Sequence, residues 1–132
     1  MVLALQRATH HTLHALSAAL ADLSLSAAEI NALANLGEGG TLSVRQLSER
    51  TGTRASTLTG LLDRLESRGY LMREVDPADR RSFRLPLTDL GQETAARALA
   101  AISALEREAL SGLDATQLAG YRAVVAALQE AC

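Results

Sequence analysis

The sequence predicts a mainly α-helical fold that carries one small β wing. Hydrophobic residues make up 48% of the 132 residues and aromatic residues only 2%, and much of the apolar content is leucine and alanine, which favour helices. Apolar residues recur at helical spacing along most of the chain and alternate in one stretch only, residues 70 to 87. A chain of this length with no linker or low-complexity segment is expected to form one domain, residues 1–132.

Two helices are predicted at the N-terminal end. Leucines at helical spacing make residues 2 to 22 an amphipathic helix with an alanine-rich face. Ser26 and Glu29 have the spacing of a capping box, in which each side chain bonds the other residue's backbone N–H, and this predicts where the second helix begins. Gly37 is expected to end that helix, because glycine is a common C-terminal stop and a glycine-rich turn follows.

Two short helices follow in the centre of the chain. Ser43 and Gln46 repeat the capping pattern and open a third helix, which Gly52 ends; Thr53 is expected to cap a fourth helix that runs to about Arg68. The fourth helix has polar residues on one side and an apolar stripe on the other. The stripe consists of Leu58, Leu61, Leu62 and Leu65. Two short helices joined by a glycine-containing turn, the second with a polar outer face, are the signature of a helix-turn-helix.

The period then changes to that of a β-hairpin. Residues 70–75 and 82–87 alternate approximately between apolar and polar side chains on either side of a charged connection, residues 76–81. Pro86 has no N–H to donate, so the second strand is expected at the edge of a sheet of two or three strands. We call this predicted hairpin, residues 70–87, the wing.

Two further helices complete the predicted order of elements. A long alanine-rich helix is expected to begin after Thr88 and to run to about Gly112. Asp114 and Gln117 again have capping spacing and open a last helix that reaches the C-terminus. The prediction is therefore six helices and one small wing.

Charge is distributed unevenly along the chain. The formal net charge is −2, but residues 43–84 carry nine arginines against six acidic residues, a balance of +3. Residues 1–42 and 85–132 have balances of −2 and −3. A basic block between acidic flanks favours a polyanionic partner, because a polyanion responds to the local potential rather than to the overall sum.

The cysteine content and the N-terminal residues indicate where the protein acts. Cys132 is the only cysteine, so no internal disulfide is expected. The N-terminal segment lacks the basic and continuously apolar regions of a secretory signal. Its longest uncharged stretch, residues 8–21, is too short and too polar to span a bilayer. We expect a cytoplasmic protein without a membrane partner.

The run from Ser56 to Thr88, STLTGLLDRLESRGYLMREVDPADRRSFRLPLT, closely resembles the MarR family of bacterial winged helix-turn-helix regulators. It matches the family's recognition helix, its L-x-x-L-x-x-x-G exit and its D-P-x-D-R-R-x-x-x-L-x-L-T wing, and a weaker likeness in element order covers nearly the whole chain. The resemblance implies a winged helix-turn-helix plus a helical dimerisation region. Residues 26–88 would form the DNA-binding lobe, and residues 1–22 and 89–132 would pair with a second copy.

The resemblance places the fourth helix in the major groove of double-stranded DNA. Its candidate contact residues are Ser56, Thr57 and Thr59, whose short side chains allow close approach. Arg54 and Arg64 would flank them on the DNA backbone. For Thr59 the alternative is a hydrogen bond back along its own helix.

The third helix supplies weaker candidates for DNA contact. Ser43 and Gln46 lie at a helix N-terminus, where a phosphate oxygen binds well, and Arg45 joins them, although capping alone explains the first two. Some family members carry an arginine at the position that matches Gly60 of the fourth helix. Its absence here predicts fewer direct base contacts and more readout of DNA shape.

The wing gives the sharper prediction. In the family, the D-x-R pair that maps onto Asp79 and Arg81 holds an arginine for insertion into the minor groove. We expect the Asp79 carboxylate to accept hydrogen bonds from the Arg81 guanidinium. Arg73, Arg80 and Arg84 are expected to meet phosphates. The alternative is a solvated charged turn.

Three histidines and the lone cysteine offer other chemistry. His10 and His14 lie on one helical face and, with His11, are the candidate metal ligands. They match no ligand motif, and we interpret them as structural. Cys132 lacks the electropositive surroundings of a reactive thiol. No P-loop, nucleophile elbow or zinc-protease motif occurs, so we predict no catalytic residues, no metal and no cofactor.

The predicted function is that of a sequence-specific DNA-binding transcriptional regulator. By resemblance, it is a ligand-responsive repressor that binds an inverted-repeat operator as a homodimer and releases it when a small-molecule effector binds. Two alternatives on the same fold stay open. One is a dimeric zinc sensor that uses the three histidines, and the other is an antagonist that does not bind DNA.

Overall fold

A computed structural model describes all residues from Met1 to Cys132 as six α-helices and a two-stranded antiparallel sheet, with 71% of the residues helical. This confirms the predicted fold class. The helices are α1 (Val2–Ala19), α2 (Ala27–Gly39), α3 (Val44–Thr51), α4 (Ala55–Ser67), α5 (Asp89–Leu110) and α6 (Ala115–Ala131). A 3₁₀ turn, Ala21–Leu23, joins α1 to α2, and the strands are β1 (Glu74–Val75) and β2 (Phe83–Arg84).

Local capping determines where most of the helices begin. The three capping boxes that the sequence predicts are present, with Ser26, Ser43 and Asp114 as the capping residues. The fourth helix is the exception. Its N-cap residue is Arg54 and not the predicted Thr53, and the Arg54 side chain accepts no hydrogen bond from the first turn. Thr53 belongs to the preceding turn, where its carbonyl accepts a hydrogen bond from the Ser48 hydroxyl at 2.7 Å.

The second helix runs past Gly37, which was expected to end it, and stops at Gly40, whose φ of +69° favours glycine. Gly37 serves packing instead of termination. A Cβ built at Gly37 would lie 2.7 Å from the Ala95 Cβ of α5, closer than real Cβ contacts come. The missing side chain therefore lets α2 and α5 touch.

A single core lies between α2, α4, α5 and the base of the wing. The four leucines of the predicted α4 stripe are all buried. The most completely buried leucines, each 0% exposed, come from α2, α3, α4 and the wing. They are Leu33, Leu47, Leu58, Leu65 and Leu85. These helices and the wing therefore fold as one unit around shared apolar side chains.

The wing pairs over a shorter length than predicted. Glu74 pairs with Arg84 and Val75 with Phe83. Below these pairs, the Met72 N–H donates to the Pro86 carbonyl at 3.0 Å. The Leu85 N–H donates to a residue outside the hairpin, the Leu42 carbonyl, at 2.9 Å. Since Leu85 is paired outside the hairpin and Pro86 has no N–H, regular pairing is confined to the outer end.

The C-terminal helix α6 has 17 residues and not one of them is buried. Its neighbour α5 buries residues only in its first half, the last of them being Ala98. None of the helices has the combination of length and hydropathy needed to cross a membrane.

Candidate nucleic-acid interface

The outer face of α4 presents short polar side chains that have no partner in the chain. Ser56 and Thr57 are exposed, and neither hydroxyl takes part in a hydrogen bond within the protein. The Thr59 hydroxyl differs, because it donates to the Ala55 carbonyl at 3.0 Å, one turn back along its own helix. The alternative that the sequence left open for Thr59 is therefore the one that the structure shows. Arg54, at the start of the helix, is exposed and makes no ion pair.

The N-terminus of α3 is occupied by its own capping box. The Ser43 Oγ accepts from the Gln46 N–H at 3.1 Å, and the Gln46 Oε1 accepts from the Ser43 N–H at 2.8 Å. The amide nitrogen of Gln46 keeps its two donors free. Arg45 pairs with Glu49 at 2.9 Å on the exposed surface of the helix. Capping accounts for Ser43 and Gln46 without DNA.

The wing loop is shaped by two aspartates. The Asp76 carboxylate accepts from the Ala78 N–H at 2.9 Å and lies 3.2 Å from the Arg84 Nε. The Asp79 carboxylate accepts from the backbone N–H of Arg81 at 3.0 Å. The predicted hydrogen bond from the Arg81 guanidinium is not formed, since its Nε lies 3.7 Å from Asp79. Asp79 therefore orients the backbone of the turn.

The two arginines at the wing tip are exposed. The side chain of Arg81 is 95% exposed, and its 3.7 Å distance from Asp79 leaves its donors available. Arg80 is exposed and makes no ion pair. The tip thus presents two guanidinium groups to solvent.

Arg73 is placed differently from the phosphate contact that the sequence predicted. Its guanidinium donates to Asp63 at 2.7 Å and to Glu66 at 2.6 Å, both on α4. Burial lowers the pKa of Arg73, but the hydrogen bonds to Asp63 and Glu66 outweigh this and hold the pKa above its ordinary value. The group is charged, and its charge is already matched by two carboxylates. A phosphate at Arg73 would have to compete with these two carboxylates.

Arg64, the other flanking arginine of α4, is held by the second helix. Its Nε donates to the Glu29 Oε1 at 3.0 Å, and the Glu29 side chain is only 7% exposed. Burial raises the pKa of the Glu29 carboxyl. Hydrogen bonds from Ser26 and Arg64 more than offset this, so that the pKa lies below its ordinary value of 4.5. Glu29 therefore closes the capping box of α2 and fixes Arg64 on α4 at the same time.

Glu29→Gln is expected to lower the free energy of unfolding by about 1–2 kcal/mol at pH 7, because a charge-assisted hydrogen bond becomes a neutral one. The folded pKa of Glu29 is depressed, so its stabilising effect is present above the unfolded pKa and is lost as pH falls through the folded value. The difference between variant and parent should therefore shrink below pH 4.5. Urea unfolding at pH 7 and at acid pH, at one protein concentration, measures both effects.

The matched control for Glu29 is Glu38→Gln on the same helix. Glu38 is exposed and makes no ion pair, so its replacement should leave the free energy of unfolding nearly unchanged at both pH values. Equal stability of the two variants at pH 7 would contradict the assigned role of Glu29.

The third helix, the fourth helix and the wing border one open cleft of about 680 Å³. Arg45 of α3, Thr59 and Asp63 of α4, and Arg81 and Phe83 of the wing line it. The cleft therefore brings basic or short polar side chains of all three elements to one surface.

Three partners on this surface were not recognised in the sequence. Asp63 and Glu66 lie three residues apart on one face of α4, and this spacing indicates that one arginine could bind both carboxylates. The sequence does not show that this arginine is Arg73, because Arg73 lies beyond the turn that follows α4. Glu29 was recognised only as a capping residue. Its second bond crosses 35 residues of sequence, and nothing local indicates it.

The histidine cluster of α1 does not assemble a metal site. The ring centroid of His10 lies 6.2 Å from those of His11 and His14. No group of three or more His, Cys, Asp or Glu residues is arranged to hold a metal ion. All three histidines are exposed.

Comparison with known proteins identifies relatives of the same kind. The model of the MarR family matches residues 22–82. The HTH-type transcriptional repressor MdtR of Bacillus subtilis is 32% identical over 104 residues, which cover 79% of this chain and 67% of MdtR. YfiV, an HTH-type transcriptional regulator of the same organism, is 40% identical over 67 residues, and these cover 51% of this chain and 42% of YfiV. The aligned part thus spans less than half the length of YfiV.

The fold agrees with these sequence relatives. CouR from Rhodococcus jostii RHA1, solved with bound p-coumaroyl-CoA, superposes with a TM-score of 0.84 at 26% identity, over 95% of this chain and 88% of CouR. Both sequence relatives are HTH-type transcriptional regulators. Sequence and fold together show that this chain belongs to the MarR family of winged helix-turn-helix transcriptional regulators.

Proposed function

We propose that this protein is a sequence-specific DNA-binding repressor that acts as a homodimer in the cytoplasm and responds to a small-molecule effector. The observation that carries this proposal is the exposure of four polar groups. The hydroxyls of Ser56 and Thr57 and the guanidinium of Arg80 are exposed without a protein partner, and Arg81 is 95% exposed with only a 3.7 Å ion pair to Asp79. They lie on two elements that border one cleft.

The two elements suit different grooves of a DNA duplex. A helix of 13 residues such as α4 is about 20 Å long and fits the major groove, where Ser56 and Thr57 would meet base edges or phosphates. The wing tip would then reach the neighbouring minor groove with Arg81, while Arg80 and Arg84 meet phosphates. Residues 26–88 would form this DNA-binding lobe.

The remaining contacts of the proposed interface are with the DNA backbone. Gln46 and Arg45 at the start of α3 keep free donors for a phosphate. Arg64 remains 61% exposed although it is bound to Glu29, so its remaining donors are accessible. Arg54 completes this set.

Homodimer formation is supported by apolar surface at both ends of the chain. A 17-residue helix with no buried residue gains too little from its own hydrogen bonds to be stable alone. Tyr121 and Leu113 are more than two-fifths exposed, and so are Val2 and Leu3 near the N-terminus. We propose that residues 1–22 and 89–132 pair with those of a second copy. A twofold dimer presents two α4 helices and therefore favours an inverted-repeat operator.

A cavity of about 320 Å³ between α2 and α5 supports the proposed response to an effector. Leu36 and Gly37 line it on one side and Ala95 and Leu99 on the other. The relative CouR was solved with p-coumaroyl-CoA. We propose that a small molecule binds this chain where the DNA-binding lobe meets α5, and that it favours a lobe spacing that no longer fits the operator.

The affinity for DNA is expected to fall steeply with salt. If a dimer neutralises roughly six to ten phosphates, the logarithm of the association constant should fall with a slope of about −5 to −9 against the logarithm of the salt concentration. The probe is a duplex recovered by selection with the purified protein from a random-sequence library, and fluorescence anisotropy gives the affinity between 50 and 300 mM salt.

A scrambled duplex of the same length and composition is the control for sequence specificity. The selected duplex should be bound at least about a thousandfold more tightly. Failure to enrich any duplex, or a slope near zero, would contradict DNA binding and favour the antagonist. Calorimetric zinc titration of the same sample tests the zinc sensor, since binding tighter than millimolar would support it.

A further inference from the structure

We propose that Arg73 is a positioning residue: it fixes the wing relative to α4, so that both elements engage DNA together, and it does not contact DNA itself. This inference rests on the proposed function, because it concerns how the proposed interface is assembled. It assigns to Arg73 a role that differs from that of the other arginines of residues 43–84.

The outer part of the wing has little apolar contact with the rest of the protein. The base of the wing is anchored by Leu71 and Leu85, which are 1% and 0% exposed. Beyond them Met72, Val75 and Phe83 are each more than two-fifths exposed, although Phe83 faces the cleft. The apolar core therefore does not set the direction of the outer wing.

Polar contacts from the outer wing to α4 come from Arg73 alone. The ion pairs of Arg81 and Arg84 are made with Asp79 and Asp76, within the wing itself. Arg73 instead reaches α4 at Asp63 and Glu66. It lines the cleft that separates the wing from α3 and α4. The ion pairs of Arg73 with Asp63 and Glu66 therefore connect the wing to α4, the two elements proposed to contact DNA.

The geometry of these two ion pairs is specific to a guanidinium. Nη2 donates to Asp63 at 2.7 Å while Nη1 donates to Glu66 at 2.6 Å, so the planar group is held at two points on one face of α4. The side chain is 21% exposed, which limits its motion. A lysine ammonium carries the same charge but cannot hold both carboxylates in this fixed fork.

The local charge also argues against contact between Arg73 and a phosphate. One positive group with two carboxylates at hydrogen-bonding distance has a net charge of −1. A phosphate at the same place would be repelled by Asp63 and Glu66 and would have to replace them. Arg73 therefore acts through the position of its neighbours.

The first test does not involve DNA. Asp63→Asn/Glu66→Gln keeps the size of both side chains but weakens their hold on Arg73, and Arg73→Lys does the same from the other side. In both proteins, amide hydrogen exchange at residues 72–84 should be about tenfold faster, while exchange in the α2–α5 core is unchanged. Arg97→Ala is the control, because it breaks an arginine–carboxylate pair outside the wing, between Arg97 Nη2 and the two Asp22 oxygens, and it should leave exchange in the wing unaltered.

The second test uses the sign of the change in DNA affinity. The double variant removes two negative charges near the DNA. If only electrostatics acts, its affinity for DNA should rise, and the rise should be larger if Arg73 is freed to bind a phosphate. If Arg73 positions the wing, Asp63→Asn/Glu66→Gln instead lowers affinity for the selected duplex by about tenfold, or about 1.4 kcal/mol. Affinity for the scrambled duplex, which needs no alignment of wing and helix, should be unchanged or higher.

Each outcome decides between these readings. Unaltered exchange in the wing, or tighter binding of the selected duplex by the double variant, would overturn the positioning role. Equal loss of affinity for both duplexes would also overturn it, because that pattern indicates general damage to the fold. If the parent protein binds no duplex, the proposed function fails, and the exchange experiment still decides whether Arg73 holds the wing.

Discussion

Arg81→Ala is expected to lower the affinity for the selected duplex by about 1–3 kcal/mol for each wing. A dimer has two wings, so the whole complex should lose roughly thirtyfold in affinity or more. The physical reason is the exposure of the side chain. At 95% exposed and 3.7 Å from Asp79, the guanidinium gives up no strong internal hydrogen bond when it binds DNA, and the whole of its attraction to a narrow minor groove contributes to affinity.

The comparison that isolates the wing is Arg107→Ala, measured on the same duplex at the same salt. Arg107 is exposed near the end of α5 and makes no ion pair, so its removal changes the net charge equally but at a distance from the proposed interface. Its effect should be small. Should Arg81→Ala and Arg107→Ala bind within twofold of each other, the wing does not insert an arginine, and the solvated charged turn becomes the better interpretation.

Gly91→Ala is expected to lower the free energy of unfolding by about 3 kcal/mol, or to prevent folding. A Cβ on this residue would overlap the Tyr70 carbonyl oxygen and lie 2.9 Å from the carbonyl carbon. Backbone atoms cannot rotate away as a side chain does. The start of α5 would have to move off the Gly69–Tyr70 turn, and the Thr88 N–H, which donates to the same Tyr70 oxygen at 3.1 Å, would lose its partner.

Gly60→Ala makes the same chemical change where there is space. A Cβ at Gly60 in α4 meets only the Arg64 Nη1, at 3.8 Å, and alanine is favoured over glycine inside a helix by about 1 kcal/mol. Urea unfolding at one protein concentration should therefore show Gly60→Ala at or above the stability of the parent. A Gly91→Ala protein as stable as the parent would mean that α5 and the wing do not meet as described.

What could be predicted from the sequence is what depends on neighbours a few residues away. Ser26 with Glu29, and Asp114 with Gln117, satisfy each other's backbone groups within one turn, and each of these pairs opens a helix as expected. The leucine stripe of α4 and the glycine after it likewise depend on local period and local backbone conformation. Element order and fold class follow from such features.

What could not be predicted depends on which distant groups meet. Gly37 looks like a helix stop until Ala95 lies against it, and the need for glycine at position 91 comes from a carbonyl 21 residues earlier, at Tyr70. Arg73 and Arg81 have the same side chain in the same basic block. Only the placement of Asp63 and Glu66 separates an arginine held at α4 from one that points into solvent.

The close contact between Gly37 and Ala95 joins α2 to the first half of α5. Because α2 packs directly on that half, we expect a tilt of α5 to carry the helix-turn-helix and the wing with it, with α5 as the lever arm. The arm has 22 residues and is about 33 Å long. A tilt of about 10° about one end therefore carries the other through roughly 6 Å, which is about the full width of a minor groove.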